Sequence, residues 1–283
     1  EKGKATGRLL TVTEEVKGGP EAEGRAVRFD IQKGKIFANL RIGADVAGAV
    51  PLKANDGMAH MGVKLHGMGF LVSPSEAKSL GLGTNPELAA HIRPFFNGRD
   101  LAQSNRGVMA IDLFGLSESE ARQLFPSVFQ HVMDKVKPER DQNNRATYRK
   151  SWWVFGEPRR ELRPALSGLT RYAATTRTAK HRIFQFLPSD ALAESEIICI
   201  ACDNAEVLTT LSSRTHLAWA LAMGGTLEDR PRYNHSVCFD PFPFPDPTED
   251  QKAHLRSLGE QLDAHRKAQQ AAHPKLTLTA MYN

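Results

Sequence analysis

Four prolines are spaced two residues apart in CFDPFPFPDP, Cys238 to Pro247, and no such stretch can lie inside a helix or a central strand. Each proline lacks the N–H that either ladder needs, and its ring drives the residue before it toward extended conformations. The run therefore marks a boundary. Beyond it, Glu249 to Ala272 is polar, helix-forming and faintly amphipathic through Leu255, Leu258 and Leu262, in the manner of a docking or spacer helix.

Upstream, the chain reads as strands first. Arg8 to Thr13, Ala26 to Gln32 and Lys35 to Leu40 alternate apolar and polar positions, and a Lys33-Gly34 turn is expected between the last two. The glycines of Gly57 to Val72 predict bulges or close backbone approaches. Ser73 with Glu76 and Ser117 with Glu120 are capping boxes that open helices, the second reaching toward Val136 with a kink at Pro126. Strands are expected at Val108 to Asp112, Thr170 to Thr175, His181 to Leu187 and Ile197 to Cys202. A third box, Asp203 with Glu206, opens a helix through Leu208, Leu211, Ala218, Trp219 and Ala222 that Gly224 and Gly225 stop. The fold class is α+β, a mixed or antiparallel sheet with flanking helices and a short helical tail. The expected domains are a β-rich leading segment over 1–85, a core over 86–247 and the start of the tail over 248–283.

With 283 residues, of which 41% are hydrophobic, the chain can bury a substantial core. No apolar run approaches the roughly 18 residues of a membrane span, so no membrane partner is expected. Glu1 to Arg8 has no signal-peptide pattern, and the missing initiator Met reads as a chain that begins mid-protein. Three cysteines are too few for a disulfide framework and fit the reducing cytoplasm.

Charge is unevenly placed. Lys135 to Arg182 holds 13 Lys or Arg against four acids, a local +9 in a chain of formal charge +5. Such a segment is either a phosphate-binding face or a solvated surface. Within it, YRKSWW (Tyr148 to Trp153) interleaves the cations Arg149 and Lys150 with aromatics suited to stacking or wedging, or to core packing. ATTRTAKHR (Ala174 to Arg182) gathers hydroxyls and cations in one loop between two strands. EDRPRYNHS (Glu228 to Ser236) holds Glu228, Arg230, Arg232 and Asn234 on a glycine-entered, proline-stiffened turn. A carboxylate can accept from cytosine and a guanidinium can bond guanine, so Glu228 and Arg230 could read a G·C pair, or form a surface salt bridge.

Catalytic patterns fare worse. An amino-methyltransferase needs Asp, Asn or Ser followed by Pro, Pro and an aromatic; in Asp240-Pro241-Phe242-Pro243 a phenylalanine stands at the second proline position. Asp246, Asp250 and Lys252 are too close in sequence for a nuclease hairpin. Cys199 and Cys202 with His235 and Cys238 could hold zinc, yet residues three apart on the apolar IICIAC strand face opposite sides. No metal and no catalytic residue is assigned to this chain.

The succession KPERD (Lys137 to Asp141), YRKSWWVFGEPRRELRPAL (Tyr148 to Leu166), RYAATTRTAKHRIFQFLP (Arg171 to Pro188) and LSSRTHLAWALAMGGTLEDRPRYNHSVCFDPFPFPD (Leu211 to Asp246) resembles the recognition region that follows the catalytic domain in MmeI-like type II restriction-modification methyltransferases. The resemblance covers about 90–283. It implies a target-recognition domain that binds double-stranded DNA beside a methyltransferase domain of the same polypeptide. That parent would use S-adenosylmethionine to methylate an adenine amino group, and a nuclease can be fused to it; this part has no cofactor and no activity alone. The family's base-reading pair is similar in position to Glu228 and Arg230, with Arg232 and Asn234 beside them. Further backbone or base contacts carried over by the resemblance would fall on Arg171, Thr175, Thr176, Arg177, Lys180, His181 and Arg182, and the YRKSWW composition adds Arg149 and Lys150 as backbone or base contacts. The alternatives are a non-specific nucleic-acid-binding module and a zinc-dependent enzyme.

Overall fold

A computed structural model describes residues 5–17, 25–36, 42, 46–227 and 230–283. The chain forms two units, 1–50 and 51–283. In the first, β1 (Ala5–Lys17) and β2 (Arg25–Ile36) make an antiparallel ribbon with an irregularity between Val12 and Glu14. Lys33 and Gly34 do not turn the chain as expected: they lie inside β2, paired with Arg8 and Gly7. Gly34 is there for space, since a Cβ on it would stand 2.6 Å from Ile42 Cγ2. Of the third expected strand, residues 37–40 lie outside the described residues. Leu10 pairs with Ile31 and Val12 with Phe29, and all four side chains are exposed, so one face of the ribbon is apolar.

In the second unit short strands alternate with short helices: β3 (Ala59–Met61), β4 (Leu71–Val72), α1 (Pro74–Ser79), β5 (Ile92–Phe96), α2 (Gly98–Ala102), β6 (Met109–Ile111), α3 (Glu118–Leu124), α4 (Pro126–Lys135), α5 (Lys137–Asp141), α6 (Ala146–Lys150) and α7 (Leu162–Ala165). There follow β7 (Arg171–Thr176), β8 (Gln185–Pro188), β9 (Leu192–Ala193), β10 (Ile197–Ile200), α8 (Ala205–Ser212), α9 (Arg214–Met223), β11 (Gly225–Leu227), β12 (Arg230–Arg232), α10 (His235–Cys238) and α11 (Glu249–Ala272). One sheet is antiparallel in the order β3-β10-β7-β8. The other runs β4-β6-β5-β9 and is mixed, because β9 lies parallel to β5. The architecture is thus α+β with mixed and antiparallel sheets and flanking helices.

Strand β10 shows why the sequence folds this way. Its Ile-Ile-Cys-Ile is buried at every position, and alternation sends successive side chains to opposite faces. Ile198 and Ile200 enter a core with Phe186, Leu208, Leu211 and Phe239. Ile197 and Cys199 enter another with Tyr172, Leu187 and Leu101. A third core gathers Phe70, Ile111, Phe129, Val132 and Trp152 at the second sheet. Gly62 lets β3 reach that region: a Cβ there would lie 2.3 Å from the Ala193 carbonyl, the close approach that glycine in this stretch predicts.

The Ser73 and Ser117 boxes close as expected. Pro126 breaks the helix outright instead of kinking it, because Phe125 before it leaves the helical region at φ −133° and ψ 61°. The third cap is Asn204, not Asp203; its Oδ1 accepts from the Glu206 amide at 3.1 Å. The single helix expected over Leu208 to Ala222 is two, divided at Ser213, whose hydroxyl accepts from the His216 amide at 3.2 Å and caps α9.

Helix α11 docks only in part through its leucines: Leu255 and Leu262 are half-buried and Leu258 is exposed, while the fully buried positions are Gly259, Asp263 and Arg266. Asp263 accepts from the Phe186 amide at 3.0 Å and Arg266 donates to the Phe184 carbonyl at 2.7 Å. These bonds occupy polar groups at the open edge of β8, an edge that would otherwise be free to pair with another strand. Among the described residues, no helix is long and apolar enough to cross a membrane.

Candidate functional site

Two segments about fifty residues apart in sequence meet. Strands β11 and β12 form a hairpin with Gly225 opposite Arg232 and Leu227 opposite Arg230. Gly224 permits its tight base, since a Cβ on it would lie 2.5 Å from the Arg232 carbonyl. The loop after β7 is joined to this hairpin by two backbone hydrogen bonds. Tyr233 N donates to Arg177 O at 2.6 Å and Ala179 N donates to Pro231 O at 3.4 Å, the pair that makes the antiparallel bridge between Thr178 and Arg232. Alternation along β12 places Arg230 and Arg232 on one face, and Leu227 and Arg230 are exposed toward the hairpin end.

Arg182 sits beneath this junction. Its guanidinium donates to Thr175 Oγ1 at 3.2 Å, to the Thr176 carbonyl, to Arg177 O at 3.4 Å and to Pro231 O at 3.1 Å. It also lies 5.0 Å from the centre of the Tyr233 ring. Burial pushes its pKa down to about 10, well above neutrality, so the charge is kept. Tyr233 is fully buried, and its hydroxyl lies 3.0 Å from Nε2 of buried His216.

The chain matches the family model "MmeI, target recognition domain" over residues 50–246. It belongs to the MmeI target recognition domain family. No curated protein matches it. Its fold is similar to that of the type IIL restriction-modification enzyme MmeI, solved in complex with DNA, with TM-score 0.68 and 19% identity. The likeness covers 95% of this chain and 39% of the MmeI chain. The joined segments both fall within the span of the MmeI target recognition domain match.

The structure brings Arg177, Lys180, His181, Arg230, Arg232 and Asn234 into this one region, whereas Glu228 lies outside the described residues. Arg177 pairs with Glu196 at 3.3 Å. Lys180 Nζ and His181 Nε2 both reach Asn283 Oδ1, at 2.6 and 2.9 Å. Asn234 is exposed at the start of α10. Arg149 and Lys150 are exposed on α6, where Arg149 donates to the Asn143 carbonyl.

Other expected contacts turn inward. Thr175 is fully buried, its hydroxyl donating to Ile183 O at 2.8 Å, and Thr176 is buried beside it. Arg171 forks onto Glu260 of α11, donates to Asp203 O at 3.0 Å, and stacks 3.8 Å from the Phe186 ring. The basic segment is likewise not one phosphate face. Arg140 is buried and donates to the Leu65 and Val154 carbonyls, both at 2.9 Å. Arg163 grips buried Asp112 at 2.7 Å and Arg159 pairs with Glu157 at 2.6 Å. A planar guanidinium can satisfy several acceptors at once, so a folding chain spends arginines on carbonyls that nothing else reaches. In YRKSWW, Tyr148 and Trp152 are buried, and Trp153 donates to Leu116 O at 3.0 Å, so these rings pack and do not wedge.

The proline run serves the core. Phe239 and Phe242 are buried, and the amide of buried Asn55 donates to the carbonyls of Phe239, Asp240 and Phe242 at 3.2, 3.0 and 2.8 Å. Cys199 and Cys238 belong to different cores, which separates the ligands a zinc site would need. Burial raises the Cys199 thiol to about 12. Sequence reasoning missed Tyr233 and Asn55; a tyrosine directly after an Arg-Pro-Arg strand is the one available signal for the first.

Proposed function

We propose that this chain reads double-stranded DNA by sequence, on behalf of an adenine-N6 methyltransferase domain of the same restriction-modification polypeptide. The observation that carries the reading is the backbone junction between the 177–181 loop and the β11–β12 hairpin, which brings together the two segments that carry Arg177, Lys180, His181, Arg230, Arg232 and Asn234. Membership of a target recognition family and a fold shared with a DNA-bound relative support it.

In this reading the hairpin enters a groove. Two-stranded ribbons fit the major groove, where arginine pairs with guanine edges and a carboxylate accepts from cytosine. Glu228 and Arg230 read bases, with Arg232 and Asn234 beside them. Arg177, Lys180 and His181 meet phosphates or bases, and Arg149 and Lys150 meet the backbone farther along the duplex. Thr175, Thr176, Arg171 and Arg182 support the surface from within. S-adenosylmethionine and the methyl-transfer chemistry belong to the joined domain, in which a flipped adenine would be held. The cytoplasm is the compartment this role implies.

The test is selection of duplexes from a random pool by the 283-residue chain. Enrichment of one short site is expected. Retention of duplexes with no common site would replace the reading with non-specific binding, and no retention at all would overturn it.

A further inference from the structure

We infer that Arg182 is a positioning residue for sequence reading: it locks the 177–181 loop to the β11–β12 hairpin so that both meet DNA as one body. The inference rests on the proposed DNA-reading role and adds to it the part that makes two loops act together.

Arg182 is chemically suited to this task and poorly suited to touching a ligand. Its two terminal nitrogens are committed to Thr175 Oγ1 and the carbonyls of Thr176, Arg177 and Pro231. Three of these acceptors lie on the β7 side of the junction, and the fourth, Pro231, is the central residue of β12. The same guanidinium lies over Tyr233, whose own amide bonds back to Arg177 O at 2.6 Å. The fork thus closes a circuit from loop to hairpin and back.

The circuit matters because an isolated two-stranded hairpin is marginal in water. β11 is exposed at all three residues, so its position is set at the base and not by packing at the tip. A base reader must be held within about half an ångström to discriminate edges. Lysine could keep the charge of Arg182 but presents a point donor with no planar fork, so it cannot bridge four acceptors on two segments.

The experiment compares Arg182→Lys with the unaltered chain on two duplexes: the one the unaltered chain enriches from a random pool, and a scrambled duplex of equal length. Affinity is measured over a series of salt concentrations. Arg182→Lys is expected to lower the ratio of specific to non-specific affinity by about tenfold or more, with the salt slope for the scrambled duplex unchanged. Because lysine keeps the charge, a direct phosphate contact would show instead in Arg182→Ala, as a slope lower by about one. A preserved ratio, or a lowered slope, overturns the inference.

Hydrogen exchange without DNA gives an independent readout. The Ala179 and Tyr233 amides are expected to exchange faster in Arg182→Lys while the Ile198 amide in β10 does not change. Equal protection in both proteins overturns the lock. If the unaltered chain enriches no duplex, the DNA reading fails while this exchange measurement still decides whether the lock exists. Arg182→Ala serves as the harsher variant, and it is interpreted only where Ile198 keeps its protection.

Discussion

The Tyr233 hydroxyl and Nε2 of His216 stand 3.0 Å apart at a fully buried contact between the base of the hairpin and helix α9. The imidazole is fenced by the edges of Phe184 and Phe242, at ring separations of 5.6 and 4.4 Å. Its Nδ1 has no hydrogen-bond partner. Burial first, and the nearby charge of Arg182 second, push its pKa down to about 3.

That shift fixes a pH dependence. Unfolded histidine titrates near 6.5, so between pH 6.5 and about 3 the unfolded chain binds a proton that the folded chain refuses. Stability is therefore complete above pH 6.5 and declines on acidification, by up to about 1.4 kcal/mol per pH unit from this residue. Urea unfolding at pH 7 and pH 5 should show the decline, and His216→Gln should reduce it. An equal decline in the variant would remove His216 as the cause.

Gly259 is the point where α11 touches α8. A Cβ there would lie 2.3 Å from the Ala205 carbonyl, while Thr209 Oγ1 donates across to Leu255 O at 2.7 Å. Helix propensity alone would make Gly259→Ala stabilising by about 1 kcal/mol. The contact predicts the reverse, a loss of about 1–3 kcal/mol from overpacking, visible as a lower thermal midpoint. A raised midpoint would mean that α11 does not dock as described.

Asn55 ties the proline run through three carbonyls. Asn55→Ala is expected to cost about 2 kcal/mol or more, because buried acceptors lose their donor. Asn55→Asp should cost more still, since a carboxylate would face those carbonyls. Denaturant midpoints rank the three proteins, and an Asp variant as stable as the original would contradict the assignment.

These cases show what the sequence made legible. Local grammar was readable wherever the chain contacts itself nearby: the capping boxes at Ser73 and Ser117, the buried run in β10 and the extent of α11 all follow from spacing. The leucines of α11 told only part of its docking, because the helix also packs on α8 at Gly259 and bonds an edge strand through Asp263 and Arg266, for which hydropathy has no signal. Lys33-Gly34 misled because a glycine needed for Ile42 to pass looks the same as one needed to turn. For the candidate site, composition singled out two loops that the fold brings together. It could not tell which arginines face outward, because Arg171, Arg177 and Arg182 differ only in which distant acceptor each finds: Glu260, Glu196 and Pro231.

The central claim is that the hairpin between β11 and β12 reads bases, and a swap of the Glu228 and Arg230 charges tests that most directly. In the chain carrying both Glu228→Lys and Arg230→Asp, selection from a random duplex pool should return a site that differs from the original at one base pair and matches it elsewhere. The same site recovered with undiminished affinity would contradict the account.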